Sequence, residues 1–259
     1  MGCRPVDRGE LGVTSSGNAL LDAFIAGPER SVHKWVDYFS AYDRLLSPWR
    51  GRPLTFLEIG VQNGGSTLMW RDYLGPDARI IGVDVDPNCR AMTEHGFEIW
   101  IGDQADPAFW DGFKAAVPSV DVVLDDGGHT MRQQLVTFDA LFPIVSNGGL
   151  YIVEDTHTSY FPGHGGGPPG HPGTWMARVK DLIDQMHAWY HAPIDRADQV
   201  MAATMIPSIT VFDSLVAIEK RRRSPPLTLA RGQGGHRKNP PAMDYIAMRR
   251  ALRVPDGGV

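Results

Sequence analysis

Apolar residues along the chain fall into two rhythms. Short unbroken runs at 54–59, 78–83, 97–101, 120–124 and 150–153 are bounded by glycine, proline or acidic residues. Runs of that kind mark strands buried on both faces of a parallel sheet. Between them, helical spacing predicts helices over 18–26, 31–49, the stretch after Ser66 to Leu74, 131–145 and 174–190. Two further β-rich runs, 205–212 and 215–218, are parted only by Asp213-Ser214, which predicts an antiparallel hairpin closing the sheet edge. The alternation of strand and helix predicts an α/β fold with a Rossmann-like sheet, mostly parallel with an antiparallel last strand, preceded by N-terminal helices. The expected domains are a helical cap over 1–50, a nucleoside-cofactor domain over 51–220 and a C-terminal extension over 221–259.

The strand ends carry the candidate chemistry. The first strand runs into Glu58-Ile59-Gly60-Val61-Gln62-Asn63-Gly64-Gly65-Ser66. A glycine-rich turn between strand and helix lets backbone approach a ligand and aims helix N–H groups at it. Gln62 stands where the dinucleotide fingerprint needs its second glycine, and the pattern E-x-G-x-x-x-G is the form seen in class I S-adenosylmethionine (SAM) methyltransferases. Glu58, Gly60, Asn63, Gly64 and Ser66 are the candidate cofactor contacts in this turn. Asp84 ends the second strand, where an acid can accept ribose hydroxyls. Asp103 and Gln104 end the third.

Two acidic pairs, Asp125-Asp126 and Glu154-Asp155, end the fourth and fifth strands, and parallel strands deliver both to the ligand-binding edge. Acids crowded there repel one another unless a cation is present, and Mg²⁺ suits oxygen donors. His129, just after Asp126-Gly127-Gly128, can take a proton near neutral pH. The bland alternative is that these acids only cap the helices that follow.

Composition narrows the class. With 42% hydrophobic residues and 259 residues in all, the chain can bury a substantial core. A net charge of −5 argues against a nucleic-acid partner, and no apolar stretch reaches membrane-spanning length. The first dozen residues lack the apolar core of an export signal, so a cytoplasmic protein is expected. Basic residues gather from Lys220 onward, as on a solvated or oligomer-facing surface, and a homo-oligomer is expected. The glycine- and proline-rich stretch 161–173, following the second acidic pair, has the composition of a lid.

With those residues in hand, FLEIGVQNGGS, GVDVD, GDQADP, VVLDDGGH, FPIVSNGGLYIVEDTHTSYFPG and LVAIEK resemble the metal-dependent sugar O-methyltransferases of antibiotic pathways. Lys34-Trp35 before the first strand fits the same family. The resemblance implies SAM and Mg²⁺ as cofactors, Asp126, Glu154 and Asp155 as metal ligands, and His129 as general base. Asp125 then faces the cofactor or supports the loop. The implied substrate is a sugar hydroxyl, on a nucleotide sugar such as TDP-rhamnose or on a glycosylated natural product. An amino-sugar N-methyltransferase, a nucleotide-cofactor oxidoreductase and a non-catalytic SAM-binding protein are the alternatives.

Overall fold

The computed structural model describes residues 17–27, 30–191, 196 and 199–226. The basic residues from Arg231 onward and the first sixteen residues lie outside the described residues. Seven strands form one sheet: β1 (Leu54–Ile59), β2 (Ala78–Asp84), β3 (Glu98–Ile101), β4 (Val120–Asp125), β5 (Val145–Val153), β6 (Ile209–Phe212) and β7 (Leu215–Lys220). Their order is β3-β2-β1-β4-β5-β7-β6. β1 to β5 pair in parallel, and β7 pairs antiparallel with both β5 and β6. The chain reverses sheet direction between β1 and β4, so a crevice opens beyond the C-terminal ends of these two strands.

Six longer helices flank the sheet: α1 (Ala19–Ala26), α2 (Val36–Leu46), α3 (Gly65–Leu74), α4 (Pro107–Ala116), α5 (Met131–Leu141) and α6 (Trp175–Met186). Period-two alternation in the strands divides the core into two layers. Phe56, Val122, Leu124, Leu150 and Ile152 face α1, α2 and α3. Leu57, Ile59, Val123, Tyr151 and Val153 face α4, α5 and α6. Both faces are covered, which is why these strands read as unbroken apolar runs.

Several boundaries differ from those the sequence pattern predicts. α2 begins at Val36 rather than at 31, with Trp35 as its N-cap residue, and residues 31–35 run without helix over the strand ends. α5 stops at Leu141, because Pro143 turns the next three residues into a 3₁₀ turn. β5 then starts at Val145 and carries Asn147-Gly148-Gly149, residues that read as a turn. The pattern also passes over α4, although Asp106-Pro107 is an N-cap followed by proline at the first helical position.

Phe138 centres the second layer, with ring centroids 4.9 Å from Phe142, 5.2 Å from Tyr151 and 5.3 Å from Trp175. Phe138→Ala is expected to cost ~3–5 kcal/mol in urea denaturation through the cavity it leaves. A loss under ~1 kcal/mol would mean that this layer is loosely packed.

Candidate active site

The glycine-rich turn is held from the neighbouring strand. Asp84 Oδ2 accepts the N–H groups of Val61 and Gln62, each at 2.8 Å, and Oδ1 accepts that of Asp86 at 2.9 Å. Gly60 has φ +94°, and a Cβ there would run into the Asp126 carbonyl oxygen. Only glycine lets the turn pass so close to the end of β4. A cleft of about 370 Å³ opens beside it, walled by Gly60, Asp84, Asp103, Gln104, Asp126 and Gly128. Asp103 is exposed at its rim, its Oδ1 accepting the Ala105 N–H. Gln104 is buried and ties three elements together. Its Nε2 donates to Asp125 Oδ1 at 2.9 Å and Thr137 Oγ1 at 3.1 Å, and its Oε1 accepts the Gly128 N–H at 2.9 Å. Burial pushes the Asp125 carboxyl up to about 6, against the pull of Gln104 and the Gly127 N–H, and its Oδ2 has no hydrogen-bond partner.

Three turn residues expected at the cofactor stand away from the cleft wall. Glu58 is fully buried beneath the turn, where Thr67 Oγ1 (2.6 Å) and Trp70 Nε1 (3.0 Å) take its two oxygens and bind α3 to β1. The Asn63 side chain donates to Ser31 Oγ, and Gly64 packs against Met92. Ser66 does line a second cleft, of about 340 Å³, together with Lys34, Trp35, His129, Glu154 and Asp155. Gly60, Gln62 and Asp126 line both clefts, so the two are adjacent.

Asp126, Glu154 and Asp155 meet in this second cleft beside a buried lysine, whereas Asp125 turns to Gln104. The Lys34 side chain is 2% exposed, and its ammonium donates to Asp126 Oδ2 and, at 2.5 Å, to Glu154 Oε1. The Tyr42 hydroxyl donates to the same Glu154 oxygen, and the Tyr38 hydroxyl donates to Asp155 Oδ1 at 2.7 Å. Burial opposes the charge on Lys34, but Asp126, Glu154 and Glu58 together hold its pKa above the usual lysine value. Burial likewise raises Glu154, and Lys34 pulls it back. His129 Nε2 lies 3.4 Å from Asp155 Oδ2 and 3.9 Å from Asp126 Oδ1. Burial lowers the His129 pKa, with Asp155 and Asp126 opposing, so a neutral imidazole stands ready to accept a proton. His129 and Asp155 both have positive φ, +55° and +52°, backbone strain of the kind that gathers at functional sites. One donor atom each from Asp126, His129 and Asp155 lies within 4.8 Å of the others.

Residues 57–156 match the family model of a methyltransferase domain. This stretch is a methyltransferase domain. The chain is 32% identical over 199 residues to 8-demethyl-8-(2-methoxy-α-L-rhamnosyl)-tetracenomycin-C 3'-O-methyltransferase of Streptomyces olivaceus, covering 73% of this chain and 50% of that one. It is 36% identical over 189 residues to L-olivosyl-oleandolide 3-O-methyltransferase of Streptomyces antibioticus, covering 68% and 48%. The chain thus spans about half the length of the curated relatives it matches. Its fold aligns with MycE methyltransferase of the mycinamycin pathway, solved with Mg, SAH and mycinamycin VI. That alignment has a TM-score of 0.69 and 30% identity, over 79% of this chain and 53% of that one. These likenesses set aside the oxidoreductase alternative.

Within the methyltransferase domain, the donor set fits a hard divalent ion in part. Asp126 and Asp155 offer carboxylate oxygens to one space, which suits Mg²⁺, whereas an imidazole nitrogen is a poor Mg²⁺ ligand and leaves His129 to proton chemistry. Lys34 and Tyr42 both engage Glu154 through Oε1, and Glu154 stands outside the group formed by Asp126, His129 and Asp155. Lys34 is the residue whose part sequence reasoning missed. A lysine within the helix predicted over 31–49 reads as solvated, and nothing local marks it as buried between two acids.

Lys34→Met removes the countercharge while keeping the bulk. The buried Glu154 and the half-buried Asp126 then lose their ammonium partner, at an expected cost of ~3 kcal/mol in urea denaturation in EDTA. Mg²⁺ should raise the melting temperature of this variant more than that of the wild type. Equal stability of the two proteins in EDTA would show that Lys34 does not balance these acids.

Proposed function

We propose that the protein is a SAM- and Mg²⁺-dependent O-methyltransferase that methylates a hydroxyl of a deoxysugar, carried on a nucleotide or on a natural product. The observation that carries this reading is the convergence of Asp126, His129 and Asp155 in a cleft adjacent to the one beside the glycine-rich turn. Support for the substrate class comes from the relatives, whose names describe O-methylation of sugars on natural products. In this reading SAM occupies the 370 Å³ cleft, with Asp84 near its ribose, Asp103 and Gln104 toward its adenine, and Asp125 beneath. Asp126 and Asp155 would hold the ion, with Glu154 as the third carboxylate. Bound there, the cofactor supplies a methyl on a sulfonium, and the ion acidifies the alcohol that receives it.

The chain's own residues then have three tasks. The turn and Gln104 fix the wall against which the donor lies, so that donor and acceptor meet in line. Tyr38 and Tyr42 orient Asp155 and Glu154. His129 Nε2 takes the hydroxyl proton as the C–O bond forms, and its depressed pKa keeps it unprotonated at neutral pH. We further read the protein as a cytoplasmic homo-oligomer acting on small molecules, an assembly state that light scattering checks.

Methyl transfer to TDP-L-rhamnose and to p-nitrophenyl α-L-rhamnoside is expected to stop in EDTA and return with Mg²⁺. Turnover unaffected by chelator would remove the ion from the mechanism. His129→Ala is expected to lower kcat by about 10²-fold or more with SAH affinity unchanged. Full activity in that variant would point instead to a different base.

A further inference from the structure

A row of rings leads outward from the acidic cleft. Trp35, which lines that cleft, lies 5.5 Å from the His157 ring; His157 lies 5.2 Å from Phe161, and Phe161 lies 6.2 Å from His164. Trp35 is 44% exposed and Phe161 48%, although the other rings of α2, Tyr38, Phe39 and Tyr42, are buried. Two exposed rings, Trp35 and Phe161, are bridged by the half-buried His157, which makes a continuous aromatic surface beside a polar cleft.

This surface is held in place on three sides. Trp35 stacks on Tyr38 at 6.2 Å and 22°, and the Tyr38 hydroxyl reaches Asp155. His157 Nδ1 lies 2.5 Å from Ser214 Oγ in the β6–β7 turn, where Ser214 has φ +60°. The Phe161 carbonyl accepts the N–H groups of His164 and Gly166, each at 3.0 Å. A Cβ on Gly166 would press on the Ser159 and Thr158 carbonyls, so the loop there is closely folded. The rings are therefore set relative to Asp155 before any ligand arrives.

We propose that Trp35, His157 and Phe161 form the acceptor subsite, with the C–H face of a deoxysugar ring stacked on Trp35 and its attached group running along His157 and Phe161. This inference rests on the methyltransferase reading above and deepens it. The axial C–H bonds of a pyranose ring, together with the methyl of a 6-deoxysugar, form an apolar patch on the ring. These carry slight positive charge, and the face of an indole carries slight negative charge. Trp35 lines the same cleft as Asp126, His129 and Asp155, so a ring stacked on it places its hydroxyl rim beside those residues. The surface thereby selects the ring orientation, and the acids act on whichever hydroxyl then faces them.

Trp35 makes no side-chain capping bond to α2 and is half exposed, so its truncation leaves the fold intact. With p-nitrophenyl α-L-rhamnoside and TDP-L-rhamnose as probes, Trp35→Ala is expected to raise the acceptor KM about tenfold or more. The SAH dissociation constant should stay unchanged, and Trp35→Phe should restore most of the loss. Phe161→Ala should raise KM for the same glycosides with little change in kcat. Wild-type turnover with unchanged acceptor KM in both alanine variants would overturn the subsite while leaving the methyltransferase reading in place. A wild-type protein that binds SAH but methylates neither probe, and whose calorimetric affinity for the probes is the same in Trp35→Ala, would overturn both.

Discussion

The site depends on charge balance at the ends of two adjacent strands. β4 and β5 deliver three carboxyl groups, of Asp126, Glu154 and Asp155, to one cleft, and a buried ammonium, that of Lys34, stands between two of them. Without a cation these acids repel one another, most strongly at the buried Glu154. The consequences reach outward: residues 31–35 lie unwound across the strand ends, which lets Lys34 enter, and α2 begins only after that entry is made. A metal at Asp126 and Asp155 and an ammonium at Asp126 and Glu154 are two answers to the same electrostatic problem. They share one carboxylate.

α2 links this balance to the rest of the fold. Tyr38 and Tyr42 belong to the apolar layer that packs on β1 and β4, yet their hydroxyls end on Asp155 and Glu154. One helix thus packs the core, orients two acids and, through Trp35 at its start, shapes the mouth of the cleft. Changes in the packing of α2 are therefore transmitted to the chemistry. On the other side Gln104 does comparable work, joining β3, β4 and α5 around the loop that carries His129.

How much of this is legible in the sequence depends on whether the signal is local. β1 reads cleanly because Gly51-Arg52-Pro53 and Gly60 bracket an apolar run, and the acids at strand ends are legible because parallel topology fixes where they emerge. β5 is half hidden, since Asn147-Gly148-Gly149 lies where its ladder to β4 shifts register, from Val120↔Val145 to Val122↔Leu150, and Gly148 has φ +92°. Glu58 illustrates the opposite failure. It has the position of a ligand contact in the motif, but burial and the bonds from Thr67 and Trp70 spend it on holding α3 to the sheet. Lys34 and the left-handed backbone at His129 and Asp155 follow from tertiary packing, and no local pattern announces them.

The most direct test is diffraction from crystals grown with SAH and Mn²⁺ as a Mg²⁺ surrogate, read at the manganese absorption edge. The account predicts a single anomalous peak within bonding distance of Asp126 and Asp155, with the Lys34 ammonium displaced from Asp126. An absent peak, or one remote from both carboxylates with Lys34 still seated between Asp126 and Glu154, would contradict it.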